Sequence, residues 1–183
     1  MSNKPKIHYQ NIKTNIGDLW IGFTDKGLAR LDFSKRKENF IEELVKNYSE
    51  IQEFKGKESE YSKQIKLYLD KKLKNFDLPL DLRGTEFQLR VWNELLKIPY
   101  GRVKTYKDIA ISVGREKGFR AVGMANNRNP VAIVVPCHRV IGSNGELVGY
   151  GGGIDIKVKL LKLEGINVIE KEHNGSKLYY IEN

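Results

Sequence analysis

The sequence predicts an α+β protein in two parts. Residues 1–82 read as an N-terminal antiparallel sheet with helices, and residues 83–183 as a mainly helical C-terminal domain containing a helix-turn-helix and a short active-site strand. Three observations predict this. The opening third alternates apolar and polar residues with period two, helical three- and four-residue spacing recurs from Lys37 onward, and "NFDLPLDLRGT" carries prolines and glycine with no helical period. That last segment places the domain boundary near Leu82 to Gly84. With 183 residues and 40% hydrophobic content, the chain buries one good core or two small ones.

In order, "KIHYQNIKT", "GDLWIGFT" and "GLARLDFS" form a three-strand meander, with "TDKG" as a hairpin turn. "KENFIEELVKNYSE" is a helix with Phe40, Ile41, Leu44, Val45 and Tyr48 on one face, and "SEYSKQIKLYLDKKL" a second with Tyr61, Ile65, Tyr68 and Leu69. "TEFQLRVWNELLKIPYG" opens with the capping-box pair Thr85 and Gln88 and packs Phe87, Val91, Trp92, Leu95 and Leu96 inward. "TYKDIAISVG" has Thr105 as cap and Gly114 as stop, and "KGFRAVGMANNRNP" is a helix halted by Pro130. "VAIVV" reads as a buried strand running into Pro136-Cys137-His138-Arg139. "VIGSNGELVGYGGG" turns at Asn144-Gly145 into a glycine run that walls a site, "DIKVKLLKLEG" is a helix with Asp155 as cap and Gly165 as stop, and the tail is a small strand or hairpin.

Charge narrows the function. Residues 1–82 carry 16 Lys/Arg against 13 Asp/Glu, residues 83–139 carry 11 against 4, and residues 140–183 carry 5 against 6. A mixed, solvated surface explains the first part; an excess confined to the middle third points to a polyanion, nucleic acid above all. The two short helices after Thr105 match a helix-turn-helix, whose second helix enters a DNA groove. Its small residues, Ala121, Gly123 and Ala125, offer no base-reading hydrogen bonds and let the backbone approach a duplex closely, which implies shape and phosphate recognition.

Cys137 is the single cysteine. It excludes an internal disulfide and any zinc site needing several thiolates. It is either a packed core residue or a reactive thiol. A thiol becomes nucleophilic near neutrality only beside a base or positive charge, and His138 and Arg139 follow it. Strand neighbours face opposite ways, so His138 needs a bend or a bridging water to reach Cys137. Glu164 is an available acid to orient the histidine. No apolar run marks a signal peptide or a membrane span, so a cytoplasmic protein is expected, or a nuclear one in a eukaryotic source.

"PCHRV", the upstream "RAVGMANNRNP" and the downstream "GYGGG…KLLKLEG", in this order and spacing, resemble the O6-alkylguanine-DNA alkyltransferases over about Phe87 to Gly165. The resemblance implies that Cys137 irreversibly accepts the alkyl group from O6 of a damaged guanine flipped out of duplex DNA. It implies that His138 acts as base through a water, that Glu164 orients it, and that Tyr106 helps swing the base out and gives the departing guanine a proton or hydrogen bond. Arg120 fills the gap left in the stack, and the DNA-contacting set is completed by Thr105, Ala121, Gly123 and Arg128. Asn129, Arg139, Val148, Tyr150, Gly151 and Gly152 form the pocket, where Gly151 stands at a position often held by serine. The implied protein is monomeric, free of metal and cofactor, and single-turnover. Three other readings compete: an alkyltransferase-like lesion sensor, whose members lack the cysteine; a Cys–His–Glu hydrolase; and a transcription regulator.

Overall fold

The computed structural model describes residues 4–33, 36–173 and 175–182, and the chain divides into two compact units, Met1–Arg83 and Gly84–Asn183. Ser34, the last residue of the expected third strand, and Asn174 and Asn183 of the expected tail hairpin lie outside the described residues.

In the first unit, β1 (Lys6–Thr14), β2 (Gly17–Thr24) and β3 (Gly27–Asp32) form the expected antiparallel meander. Alternation decides which faces are buried: Ile7, Tyr9 and Ala29 cluster with Phe40 and Leu44 from α1 (Lys37–Asn47) and with Tyr48, its C-cap. Two expectations fail here. The first helix ends at Asn47, and residues 50–53 form β4 (Glu50–Glu53), which pairs parallel with β1 to give the order β3-β2-β1-β4. Val45, expected on the buried face, is exposed, because the inward stripe runs through Phe40, Leu44 and Tyr48. The second helix, α2 (Glu60–Leu69), starts from a capping box between Ser59 and Ser62 and buries Ile65, Tyr68 and Leu69.

The second unit begins with α3 (Glu86–Leu96), capped by Thr85 and Gln88 as their spacing predicts. Val91, Trp92 and Leu95 are buried, each such side chain contributing about 1.5–3 kcal/mol. The Trp92 indole donates to the Ala125 carbonyl at 2.9 Å, tying α3 to α5 (Phe119–Asn127). Between them lie β5 (Lys104–Thr105) and α4 (Tyr106–Ser112), whose cap is a Thr105–Asp108 box and whose end is marked by Gly114 at φ +70°. α4 and α5 are the two helices of the expected helix-turn-helix.

Residues 131–135, expected as the strand, turn instead. Val134 N–H donates to the Ala132 carbonyl across Ile133, which sits at φ +71°, and Cys137 N–H donates to the Val135 carbonyl across Pro136 at φ −81°, ψ 62°. These are two successive three-residue turns. A β-branched residue in the left-handed region costs roughly 1–2 kcal/mol, offset here by complete burial of Ile133 with Val131 and Val135. Cys137–Arg139 then form a 3-10 turn, and the short strand comes after the thiol: β6 (Val140–Ile141) pairs parallel with β5.

The Asn144-Gly145 turn is closed by Gly142 N–H to the Glu146 carbonyl at 2.8 Å. α6 (Ile154–Leu163) is preceded by Gly153 at φ +91°, so Asp155 lies in its first turn and is not its cap, while Gly165 at φ +83° is the expected stop. The tail hairpin, β7 (Val168–His173) and β8 (Ser176–Ile181), braces the turn before the glycine run. Leu147 N–H donates to the Tyr179 carbonyl and Ile181 N–H to that of Gly145. Ile141, Leu147, Val158, Leu161 and Val168 form the core beneath.

Candidate active site

The 3-10 turn removes the geometric objection to a Cys–His pair, because consecutive side chains there do not oppose each other as in a strand. Cys137, His138 and Arg139 are all buried. His138 Nε2 lies 2.9 Å from Glu164 Oε1. An ionised carboxylate only accepts, so Nε2 carries the proton and Nδ1 keeps its lone pair.

Glu164 is held from three sides. Arg139 Nε and Nη2 reach its carboxylate at 2.8–3.1 Å, Gly101 N–H donates to Oε2 at 3.0 Å, and His138 supplies the third contact. Burial alone would raise the Glu164 pKa; the hydrogen bonds and charges of His138 and Arg139 outweigh it and hold the carboxyl at about 2. Burial pushes His138 below its ordinary value, against the opposing pull of Glu164, so the imidazole is neutral near pH 7.

The thiol is the counterpart. Burial raises Cys137 to about 11, opposed by a hydrogen bond from Asn129 and the charge of Lys157. Roughly one thiol in ten thousand is then ionised at pH 7, so reactivity requires a base. Asn129 shapes the approach to the thiol: its Nδ2 donates to the Val135 carbonyl at 2.8 Å and its Oδ1 accepts from Val131 N–H at 3.0 Å.

The β5–β6 pairing sets the start of α4 beside the thiol turn, with the register Lys104↔Val140 and Thr105↔Ile141. Tyr106 thereby reaches the pocket loop, its hydroxyl 3.1 Å from the Val148 carbonyl and 3.2 Å from that of Gly149. Burial and the nearby Cys137 raise its pKa to about 12, so it remains a proton donor. Gly149 adopts φ +59°, and a Cβ there would lie 3.2 Å from that hydroxyl, which explains the glycine. Tyr150 is buried, Gly151 exposed and Gly152 half-buried, and the Tyr150 carbonyl accepts from Gly153 N–H.

Not every expected residue joins this cluster. Arg139 is turned to Glu164 and to the Ile98 carbonyl, 2.6 Å from Nη1, and so supports the acid. The Thr105 hydroxyl is used within its capping box. Arg120 and Ala121 are exposed on α5, Arg128 is exposed at its C-cap, and Gly123 is half-buried facing Tyr106, 3.9 Å from where a Cβ would stand. Ala125, expected on the open face, is buried beneath Trp92, so its small size serves packing.

Two residues were missed. Lys157 is fully buried and donates to the Val140 and Val148 carbonyls at 2.5 and 2.8 Å, joining the strand after the thiol to the pocket loop; burial lowers its pKa to about 8. Asn126, also buried, donates weakly to the Cys137 carbonyl at 3.4 Å. Both stand at helical positions that the period turns inward, Lys157 with Leu160, Leu161 and Glu164, and Asn126 with Val122. A polar residue on an apolar stripe was the available signal. Among the described residues no group of three or more His, Cys, Asp or Glu side chains is placed to hold a metal, and no helix is long and apolar enough to cross a membrane.

Comparison with known proteins identifies the family. A family model described as 6-O-methylguanine DNA methyltransferase, DNA binding domain, matches residues 86–166, and one described as 6-O-methylguanine DNA methyltransferase, ribonuclease-like domain, matches residues 7–82. A methylated-DNA–protein-cysteine methyltransferase of Methanosarcina barkeri is 47% identical over 162 residues, 88% of this chain and 99% of that one. The crystal structure of Mycobacterium tuberculosis O6-methylguanine methyltransferase superposes with a TM-score of 0.76 at 42% identity, covering 86% of this chain and 92% of that one. A crystal structure of the Mycobacterium tuberculosis protein in complex with DNA matches with the same TM-score and coverage at 43% identity. With a relative this similar matched over almost its whole length, the chain belongs to the methylated-DNA–protein-cysteine methyltransferase family.

Proposed function

We propose that this protein repairs DNA by moving an alkyl group from O6 of guanine to Cys137, once per chain. The observation that carries the reading is the buried series Cys137, His138, Glu164, with 2.9 Å between the last two. The neutral His138, oriented by Glu164, takes the thiol proton through a water. The thiolate sulfur attacks the alkyl carbon, the S–C bond forms as the C–O6 bond breaks, and the departing guanine takes a proton from Tyr106, which recovers one from solvent. The thioether has no internal route back, so turnover stops.

A base inside a duplex is out of reach and must be flipped, at a cost of roughly a few kcal/mol that is lowest for a damaged pair. Arg120, exposed on α5, fills the vacated stack, while Arg128 and the backbone around Ala121 and Gly123 contact the phosphates. The base enters between Tyr106 and the loop from Val148 to Gly152, with Lys157 holding that loop and Asn129 the thiol. Residues 83–183 are the DNA-binding and alkyl-transfer domain and residues 1–82 a separate N-terminal domain. Every residue of the reaction lies in one unit of one chain, which supports a monomer. A reactive thiol needs a reducing compartment, which supports the cytoplasm, or the nucleus in a eukaryotic source.

Intact mass spectrometry after mixing with excess duplex containing O6-methylguanine tests this. One methyl group per chain, mapped to Cys137, is expected, with none on Cys137→Ala although that variant still binds the duplex. Methyl transfer by Cys137→Ala would sink the reading, and duplex binding without transfer by the parent would leave a lesion sensor.

A further inference from the structure

The exposed large apolar side chains of the second unit are unevenly spread. Among the described residues they are Leu96, Ile111, Phe119, Met124 and Val148; three lie on α4 and α5, and Val148 is on the pocket loop. On α5, Phe119 is 50% and Met124 57% exposed. At about 100° per residue, Met124 stands one turn beyond Arg120 and about 40° round from it, while Phe119 lies about 100° to the other side. Val122, Ala125 and Asn126 occupy the buried arc opposite. Gly123, one turn on from Phe119, leaves a notch in the side-chain cover between them. The exposed side of α5 therefore carries, besides the expected Arg120, Ala121 and Gly123, two large apolar side chains, Met124 beside Arg120 and Phe119 at the first turn on the edge nearest Asn126.

A surface that met only phosphates would gain nothing from Phe119 and Met124, since exposed apolar area is unfavourable in water. A surface that meets a duplex with a base removed from the stack is different. It faces anionic backbone and also the apolar faces of the bases left beside the gap, and proteins that open base steps use Phe and Met as wedges there. Resting on the DNA reading above, we infer that Met124 and Phe119 form an apolar wedge that, beside Arg120, contacts the opened base stack and supplies the part of duplex affinity that salt does not screen. This wedge makes binding favour duplexes whose stacking is already weakened at the lesion.

Salt separates the two kinds of contact. Phosphate contacts set the slope of log affinity against log salt through counterion release, whereas apolar contacts shift the line without changing its slope. Binding to a duplex containing O6-methylguanine is measured from low to moderate salt for the parent and for Phe119→Ala/Met124→Ala, both substitutions being on the surface of a helix that tolerates alanine. The expected result is a loss of roughly tenfold at every salt concentration with an unchanged slope. Met124→Leu retains most of the affinity and Met124→Gln does not, and alkylation of Cys137 by free O6-benzylguanine stays within twofold of the parent. Unchanged duplex affinity would overturn the wedge, and so would a loss that appears as a shallower slope, because the side chains would then act through phosphate contacts. If the parent itself shows no salt-dependent duplex binding, it is the DNA reading that fails, a result distinct from either.

Discussion

The two units differ in whether they bury charge. In the first, ion pairs such as Lys37 with Glu53 or Lys66 with Glu58 are on the surface, and among the described residues the buried polar ones are Thr24, Ser59 and Ser62. In the second, Asn126, His138, Arg139, Lys157 and Glu164 are all buried, most of them around one thiol. Buried charges cost several kcal/mol each in desolvation and are rarely the cheapest way to stabilise a fold. Among the described residues these buried charges are confined to the unit that carries the thiol.

The largest test of this contrast is Arg139→Ala. It leaves the Glu164 carboxylate buried with its charged partner gone and only the neutral His138 and the Gly101 N–H beside it, for which a loss of about 3–5 kcal/mol is expected in urea unfolding. Arg139→Lys restores only part of it, because an ammonium cannot match the forked contact to both carboxylate oxygens. A loss within the range of surface substitutions would mean that the network is not held as tightly as its 2.8–3.1 Å contacts imply.

Next in size is the pH dependence of Glu164→Gln. The Glu164 pKa is depressed to about 2, below its unfolded value, so its contribution is fully present above the unfolded pKa and is lost as pH falls towards the folded one. The variant should be roughly 3 kcal/mol less stable than the parent at pH 7, and that gap should narrow once the pH drops below about 4.5. A gap that stays constant from pH 7 down to pH 3 would show that the carboxylate's charge is not what stabilises the site.

Much of this was legible in the residues. Thr85 with Gln88 and Thr105 with its helix are local signals, since a cap needs only neighbours a few residues away, and the structure bears them out. Cys137, His138 and Glu164 were legible as chemistry, although only the fold shows that the histidine and the acid meet. What failed depended on distant partners. Residues 50–53 have no strand pattern of their own and become β4 because β1 offers an edge at that point. "VAIVV" has the composition of a strand, yet the chain bends within it, and the buried turns at Ile133 and Pro136 take its place. Arg139 looked like part of the pocket because it follows the thiol; the 3-10 turn directs it to Glu164 instead.

The smallest expected effect is the control on the first unit. Lys66 lies 2.8 Å from Glu58, and both side chains are more than two-fifths exposed. The pair gains little in water and spends side-chain entropy to hold its geometry. Alanine at position 66 also suits a helix slightly better than lysine, which offsets part of any loss. Lys66→Ala should therefore move Tm by less than about 2 °C, and by less still in 1 M salt, where screening acts over about 3 Å. The same salt should leave the cost of Arg139→Ala almost unchanged, because water and ions do not reach that contact. If salt erased both effects alike, the Arg139–Glu164 contact would be behaving as a surface pair. The contrast between a unit that wears its charges and a unit that buries them would then fail.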